Sequence, residues 1–312
     1  MAAEVATAGD RPGLKVFALV AAGTETAVVC DSSQYLPAEA IAAKGIGVVS
    51  LYVSIDGTQE RETEVTDYDD FYDRLRQSSG GATTSQPSLG DFIDVWQPLI
   101  DQGKEIVSIH ISSAISGTYE AANQARQRLI DEGNGGERVH LYDSEMACGA
   151  TGLCVLAAAA AIEAGGGPEE AIARAKEVRE TLKMWFAVDT LEYLRKGGRI
   201  GGASAWIGGA LKIKPILTID REIAPIERVR TRSRSLERLR GYARQLHESG
   251  ADAWVVQHIQ DPETAQILAT DFHEIFGGPP AFISEIGPVI GAHVGPGLVG
   301  IGAVNWSLLE AG

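Results

Sequence analysis

Four hydroxyls and a glycine crowd into Ser112-Ser113-Ala114-Ile115-Ser116-Gly117-Thr118, at the opening of a helix-period segment. The first N–H groups of a helix lack internal partners, so hydroxyls gathered there suit a bound anion. The segment holds no Lys or Arg, and the GxxxxGK[ST] phosphate loop is absent from the whole chain. A singly charged carboxylate therefore fits better than a nucleoside triphosphate. Three more polar clusters, Asp31-Ser32-Ser33, Thr83-Thr84-Ser85 and Asp143-Ser144, adjoin strand or helix ends. Taken singly, each is an ordinary cap. Gathered at one edge of a sheet they make a polar pocket, because ligands of open parallel sheets bind beyond the carboxyl ends of the strands.

His293 lies in Gly291-Ala292-His293-Val294-Gly295, where backbone can approach a ligand closely, and is a candidate donor to the same anion. The stretch 295–300 formally matches GxGxxG, but only 12 residues follow it, too few for a dinucleotide-binding βαβ unit. A hydrolase pairing Ser113 with His293 is the catalytic alternative, although no GxSxG elbow occurs. A carrier of another small carboxylate is the third reading. Charge supplies a further feature. Residues 195–240 hold 12 basic and 4 acidic side chains in a chain whose net charge is -15. Such segregation marks a docking patch for an anionic group or an acidic partner, while Arg238 and Arg240 read as a solvated helix face.

The elements that must carry these groups alternate through the first half. Short β-rich runs at 27–30, 47–53, 105–111 and 139–142 read as buried strands, and helix-period segments lie at 37–43, 65–77, 88–102, 117–130 and 146–164. That alternation predicts a largely parallel sheet covered on both faces. The Gly165-Gly166-Gly167-Pro168 stretch marks a boundary between domains at 25–165 and 166–312. The second half reads as α+β, with helices 169–183, 234–249 and 262–276. Its strands fall at 185–188, 211–219, 223–229, 253–259 and 281–286, the middle pair joined as a hairpin through Asp220-Arg221-Glu222. Residues 1–24 read as a partly disordered extension.

Composition bounds the function. The chain has 312 residues, 45% hydrophobic and 22% charged, as expected of a folded globular protein. Forty-two acidic residues against 27 Lys plus Arg argue against nucleic acid as a partner, because phosphates would be repelled. The three cysteines form no CxxC pair, which disfavours a metal site and fits a reducing cytoplasm. No apolar stretch reaches membrane-spanning length, leaving at most transient membrane contact.

Seven motifs in fixed order carry a resemblance over about residues 26–304. They are Asp31-Ser32, Thr83-Thr84-Ser85-Gln86-Pro87-Ser88, 112–119, Asp143-Ser144, Leu191-Glu192-Tyr193-Leu194 with Gly197-Gly198-Arg199-Ile200, Lys214-Pro215-Ile216, and His293 with Gly295-Pro296-Gly297. In these the chain resembles the DegV family of bacterial fatty-acid-binding proteins, which includes the FakB subunit of fatty acid kinase. The resemblance implies a flavodoxin-like N-terminal domain, a smaller two-layer α/β C-terminal domain, and an acyl chain held in a tunnel between them. It implies no catalytic residue and no cofactor beyond the bound fatty acid, whose carboxylate is presented to an ATP-using kinase subunit that makes an acyl phosphate for phospholipid synthesis. Carried over by motif, the carboxylate contacts are Thr83, Ser113 and His293. Thr84, Ser85, Ser112, Ser116, Gly117 and Thr118 extend the pocket. Arg199 and one of Arg230 or Arg232 would work with the kinase. The small residues of 147–161 and Trp206-Ile207-Gly208-Gly209 are expected in the tunnel wall.

Overall fold

The computed structural model describes residues 25–206 and 213–311. The chain opens with β1 (Thr26–Asp31), α1 (Ala38–Ala43) and β2 (Gly47–Val49). An antiparallel trio follows, β3 (Tyr52–Ile55), β4 (Thr58–Arg61) and β5 (Ala82–Ser85), with α2 (Tyr68–Gln77) inserted before the last strand. Next come α3 (Leu89–Asp101), β6 (Glu105–His110), α4 (Thr118–Asp131), β7 (Val139–Asp143) and α5 (Gly149–Glu163). The second half begins with α6 (Pro168–Thr181), β8 (Lys183–Ala187), α7 (Glu192–Lys196), β9 (Lys214–Asp220) and β10 (Glu222–Val229). It ends with α8 (Arg232–Glu248), β11 (Ala253–His258), α9 (Pro262–Phe276), β12 (Phe282–Glu285), α10 (Pro288–Val294) and β13 (Val299–Val304).

Three sheets result. The order β2-β1-β6-β7 is wholly parallel, the flavodoxin-like arrangement in which the chain reverses its winding between β1 and β6. Continuous apolar runs such as Val28, Val29 and Cys30 suit strands covered on both faces. The second large sheet runs β10-β9-β8-β13-β11-β12 and is antiparallel except for the β11–β12 pair. Helices α8 and α9 pack on it around Leu239, Leu268 and Phe272. Between the large sheets lies α5, every residue of which except Glu163 is buried. An apolar helix without a polar face belongs inside a core, and α5 packs on β1, β6 and α6 at once. The turn expected as the domain boundary joins α5 to α6.

Four departures from the sequence reading matter for the site. The run 47–53 breaks into β2 and β3, which belong to different sheets. Thr83-Thr84-Ser85 is strand β5 rather than a loop cluster ahead of a helix. The glycine-rich stretch near the C-terminus leads into β13, an interior strand of the six-stranded sheet. There a Cβ on Gly300 would come within 3.1 Å of the Phe186 Cβ, so glycine is what the packing accepts. Finally, α10, not anticipated, carries His293. The extension 1–24 and Ile207-Gly208-Gly209 lie outside the described residues. No helix among the described residues is long and apolar enough to cross a membrane.

Candidate functional site

A narrow cavity runs from the edge of the parallel sheet toward the six-stranded sheet. Its walls are apolar: Leu51 and Ile111 from one side, Met184, Phe186 and Leu298 from the other, and Val289 and Val294 from α10. Among the described residues of the expected small-residue wall, Ala147 and Cys148 just ahead of α5 reach it, whereas α5 itself packs against protein and Trp206 does not line it. The cavity measures about 100 Å³.

Polar groups gather at one end: Thr84, Ser85, Gln86, Ser116, Arg199 and His293. Each is delivered by a recognisable local device. Thr84 comes from β5, whose register with β3 sets Thr84 opposite the buried Val53 and Thr83 opposite Ser54. Ser116 closes a helical turn, its N–H donating to Ser112 O at 3.1 Å, just ahead of the α4 N-terminus. Its hydroxyl pairs with Thr118 Oγ1 at 2.9 Å. Arg199 follows the Gly197-Gly198 turn and donates to Ile115 O at 3.2 Å and Gly197 O at 2.8 Å, which fixes its guanidinium at the cavity mouth. His293 Nε2 lies 2.7 Å from Thr84 Oγ1, while its Nδ1 is buried without a partner among the described residues. Gly197 lets the ring sit there, since any Cβ at that position would collide with Nδ1. Burial, reinforced by the neighbouring Arg199 charge, pushes the His293 pKa down to about 4. The imidazole is therefore neutral at physiological pH, with Arg199 supplying positive charge beside it. Cationic guanidinium, hydroxyls and a neutral imidazole around an apolar channel match an anionic head on an aliphatic tail.

Several expected site residues stand elsewhere. Thr83 is exposed on the outer face of β5, so the threonine against the histidine is Thr84. Ser113 is exposed, and its N–H donates to the Asp143 carboxylate at 3.2 Å; it does not line the cavity. Its hydrolase pairing with His293 is therefore not formed, the hydroxyl on the imidazole being that of Thr84. Ser112 is buried and donates to Arg221 O at 2.6 Å, fastening the β9–β10 turn to the parallel sheet. Thr118 is buried beneath Ser116, whereas Ser85, Ser116 and Gly117 do line the cavity.

The basic window is also corrected in part. Lys214 pairs with Asp189 at 2.7 Å, Arg238 with Glu227 at 2.6 Å and Arg240 with Asp271 at 2.6 Å. Arg232 is tied to Asp261 and donates to Gly297 O, so it fastens the start of α8 instead of projecting. Arg230 is exposed, and only Arg199 of the three expected docking arginines reaches the cavity. Outside that mouth lies a wider polar hollow of about 400 Å³, lined by Ser116, Gly117, Gly198, Arg199, Gly201 and Glu222. One lining residue gave no signal in the sequence. Gln257 accepts from Gly149 N at 2.6 Å and so satisfies the first turn of α5. Cys148 holds φ 55° at the α5 N-cap.

Comparison with known proteins agrees with this architecture. Residues 25–305 match the family profile described as an uncharacterised protein of the DegV family. A DegV domain-containing protein of Listeria innocua is 37% identical over 285 residues, spanning 90% of this chain and 98% of that one. Among solved structures, a DegV family protein of Thermus thermophilus, described by its fatty acid binding, superposes with a TM-score of 0.80 at 30% identity, covering 90% of this chain and 99% of that chain. DegV of Bacillus subtilis, described as a fatty acid binding protein, gives 0.78 at 32% identity, covering 90% and 100%. With the match running through both large sheets and every residue of the polar mouth, this chain belongs to the DegV family.

Proposed function

We propose that this chain binds a fatty acid in the cavity and presents the carboxylate to a separate ATP-dependent kinase subunit, which forms the acyl phosphate. In this reading the chain does no chemistry itself and works in the cytoplasm, with transient membrane contact to load its ligand. The observation that carries the reading is the division of one cavity into an apolar channel and a polar mouth bearing Thr84, Ser116, Arg199 and His293. The fatty acid binding described for the Thermus thermophilus and Bacillus subtilis relatives points the same way.

Energetics divide the work. Each buried methylene contributes about 0.8 kcal/mol, so the tail supplies most of the affinity and the mouth supplies orientation. The channel is narrow, and a long acyl chain requires side chains to yield. Met184 is suited to that, being unbranched and free to change rotamer. The hollow outside Arg199 leaves the head group reachable, as a substrate-presenting subunit needs.

The experiment is direct. Protein purified from a bacterial host is denatured, extracted and analysed by mass spectrometry, and about one fatty acid per chain is expected. Recovery of a different small carboxylate would establish the other carrier reading, and empty protein that takes up no added fatty acid would reject both. Acyl phosphate formed only when an ATP-binding kinase subunit is added tests the second half of the proposal.

A further inference from the structure

Helix α10 brings Val289, Ile290, His293 and Val294 to the cavity, yet it spans only seven residues. A helix that short has no stability of its own in water, so its position is dictated by what grips it. The grip comes from the first half of the chain. Glu62, in the short turn after β4, is buried and accepts from Val289 N at 2.8 Å. The same carboxylate accepts from the Tyr35 hydroxyl at 2.6 Å and the Ser32 hydroxyl at 2.5 Å. Tyr35 in turn accepts from Ile290 N at 3.2 Å. Tyr72 completes the hold by donating to Ile286 O at 2.9 Å, just ahead of the helix. Two of the N–H groups that a helix start leaves open are thus satisfied by one buried carboxylate and the tyrosine bound to it.

We propose that Glu62 is the positioning residue for His293: by fixing the start of α10 through Val289 and Tyr35, it holds the imidazole against Thr84 at the mouth of the cavity. A carboxylate that has surrendered its hydration must have its lone pairs engaged, and three donors engage these. Removing it leaves Val289 N and two hydroxyls without their acceptor, in a place water does not reach. The helix then moves to find partners, and the histidine moves with it. The ligand consequence rests on the fatty-acid reading above; the displacement of His293 does not.

The test separates the two. Glu62→Gln keeps an oxygen for Val289 and Tyr35, whereas Glu62→Leu keeps none. In ligand-free protein, His293 is followed by imidazole NMR, its signal assigned with His293→Gln. Wild type and Glu62→Gln should titrate near the same low value, about 4. Glu62→Leu should titrate at least one pH unit higher, with an unchanged circular dichroism spectrum. Fatty acid dissociation should quicken at least tenfold in Glu62→Leu and remain wild-type in Glu62→Gln. If Glu62→Leu does not fold, Tyr35→Phe removes the hydroxyl on Ile290 and should shift the titration the same way by a smaller amount. A folded Glu62→Leu, or failing that a folded Tyr35→Phe, in which His293 titrates as in wild type overturns the proposal. Wild-type protein that binds no fatty acid but shows the expected titration shift rejects only the ligand reading.

Discussion

Acidification should cost this protein stability through His293 in particular, and the size of the loss follows from its surroundings. Burial and Arg199 lower the pKa of the ring from 6.5 in the unfolded chain to about 4 in the native state. Between those values the unfolded chain takes up a proton that the native state refuses, so stability falls as pH falls. The full difference of about 2.5 units corresponds to ~3.4 kcal/mol, present above pH 6.5 and lost once the pH passes below 4. At pH 5 the loss relative to pH 8 comes to ~2 kcal/mol. Other groups titrate in the same range, so the quantity to measure is a double difference. Urea denaturation of delipidated wild type and His293→Gln at pH 8 and pH 5 gives it, and wild type should lose ~2 kcal/mol more than the variant. Saturation with fatty acid should raise the His293 titration midpoint, because a carboxylate beside the ring favours the charged form. Denaturation midpoints that fall in parallel for the two proteins would refute the reasoning, since they would mean that the ring is solvated in the native state.

Paired substitutions check the placement of the other groups. Thr84→Val and Ser116→Ala should each weaken fatty acid binding about tenfold or more, a hydrogen bond to a charged group being worth ~1.5–3 kcal/mol; Thr83→Val and Ser113→Ala should leave binding within twofold in the same titration. Arg232→Ala should cost ~1 kcal/mol in thermal or urea unfolding through its tie to Asp261, whereas Arg199→Ala should leave unfolding nearly unchanged and weaken retention of the carboxylate. Ala147→Phe, which pushes a ring into the channel, should abolish fatty acid content by mass spectrometry while the melting curve shifts little.

What could be read from the sequence divides along physical lines. The parallel sheet was legible because strands covered on both faces are dominated by apolar residues: 27–30 is wholly so, and 105–111 carries Ile106, Val107, Ile109 and Ile111. Strand β13 was not, because its glycines at 300 and 302 have low strand propensity and are there for the packing of Phe186 and Met184. The polar strands β4 and β5 carry no apolar alternation, so Thr83-Thr84-Ser85 passed for caps. Once that segment is a strand, parity decides: a slip of one residue turns every side chain to the other face, and the threonine that recognises the imidazole is Thr84. The basic window misled for a different reason. Counting charge within 195–240 omits acidic partners that folding brings in from outside it, among them Asp189, Asp261 and Asp271.

Residue types at catalytic distances do not make a catalytic site without access, and the protein contains a case of this. Asp31 Oδ2 lies 3.2 Å from His110 Nδ1, and His110 Nε2 lies 2.8 Å from Ser108 Oγ. The order of groups is that of a serine hydrolase, but all three side chains are fully buried, and Ser108 also accepts from Trp96 Nε1 at 3.3 Å. With its hydroxyl engaged by Trp96 and His110 and buried from any substrate, the serine pins α3 to the sheet. Asp31 likewise spends its carboxylate on Ser33 N, Ser33 Oγ and Ile111 N, which sets the ends of β1 and β6 where the cavity opens. The polar groups clustered at that edge therefore fall into two kinds. Asp31, Ser32 and Ser112 have their partners inside the protein and build the rim. Thr84, Ser116, Arg199 and His293 line the cavity, and in the function proposed above they are the groups that would meet the ligand's head.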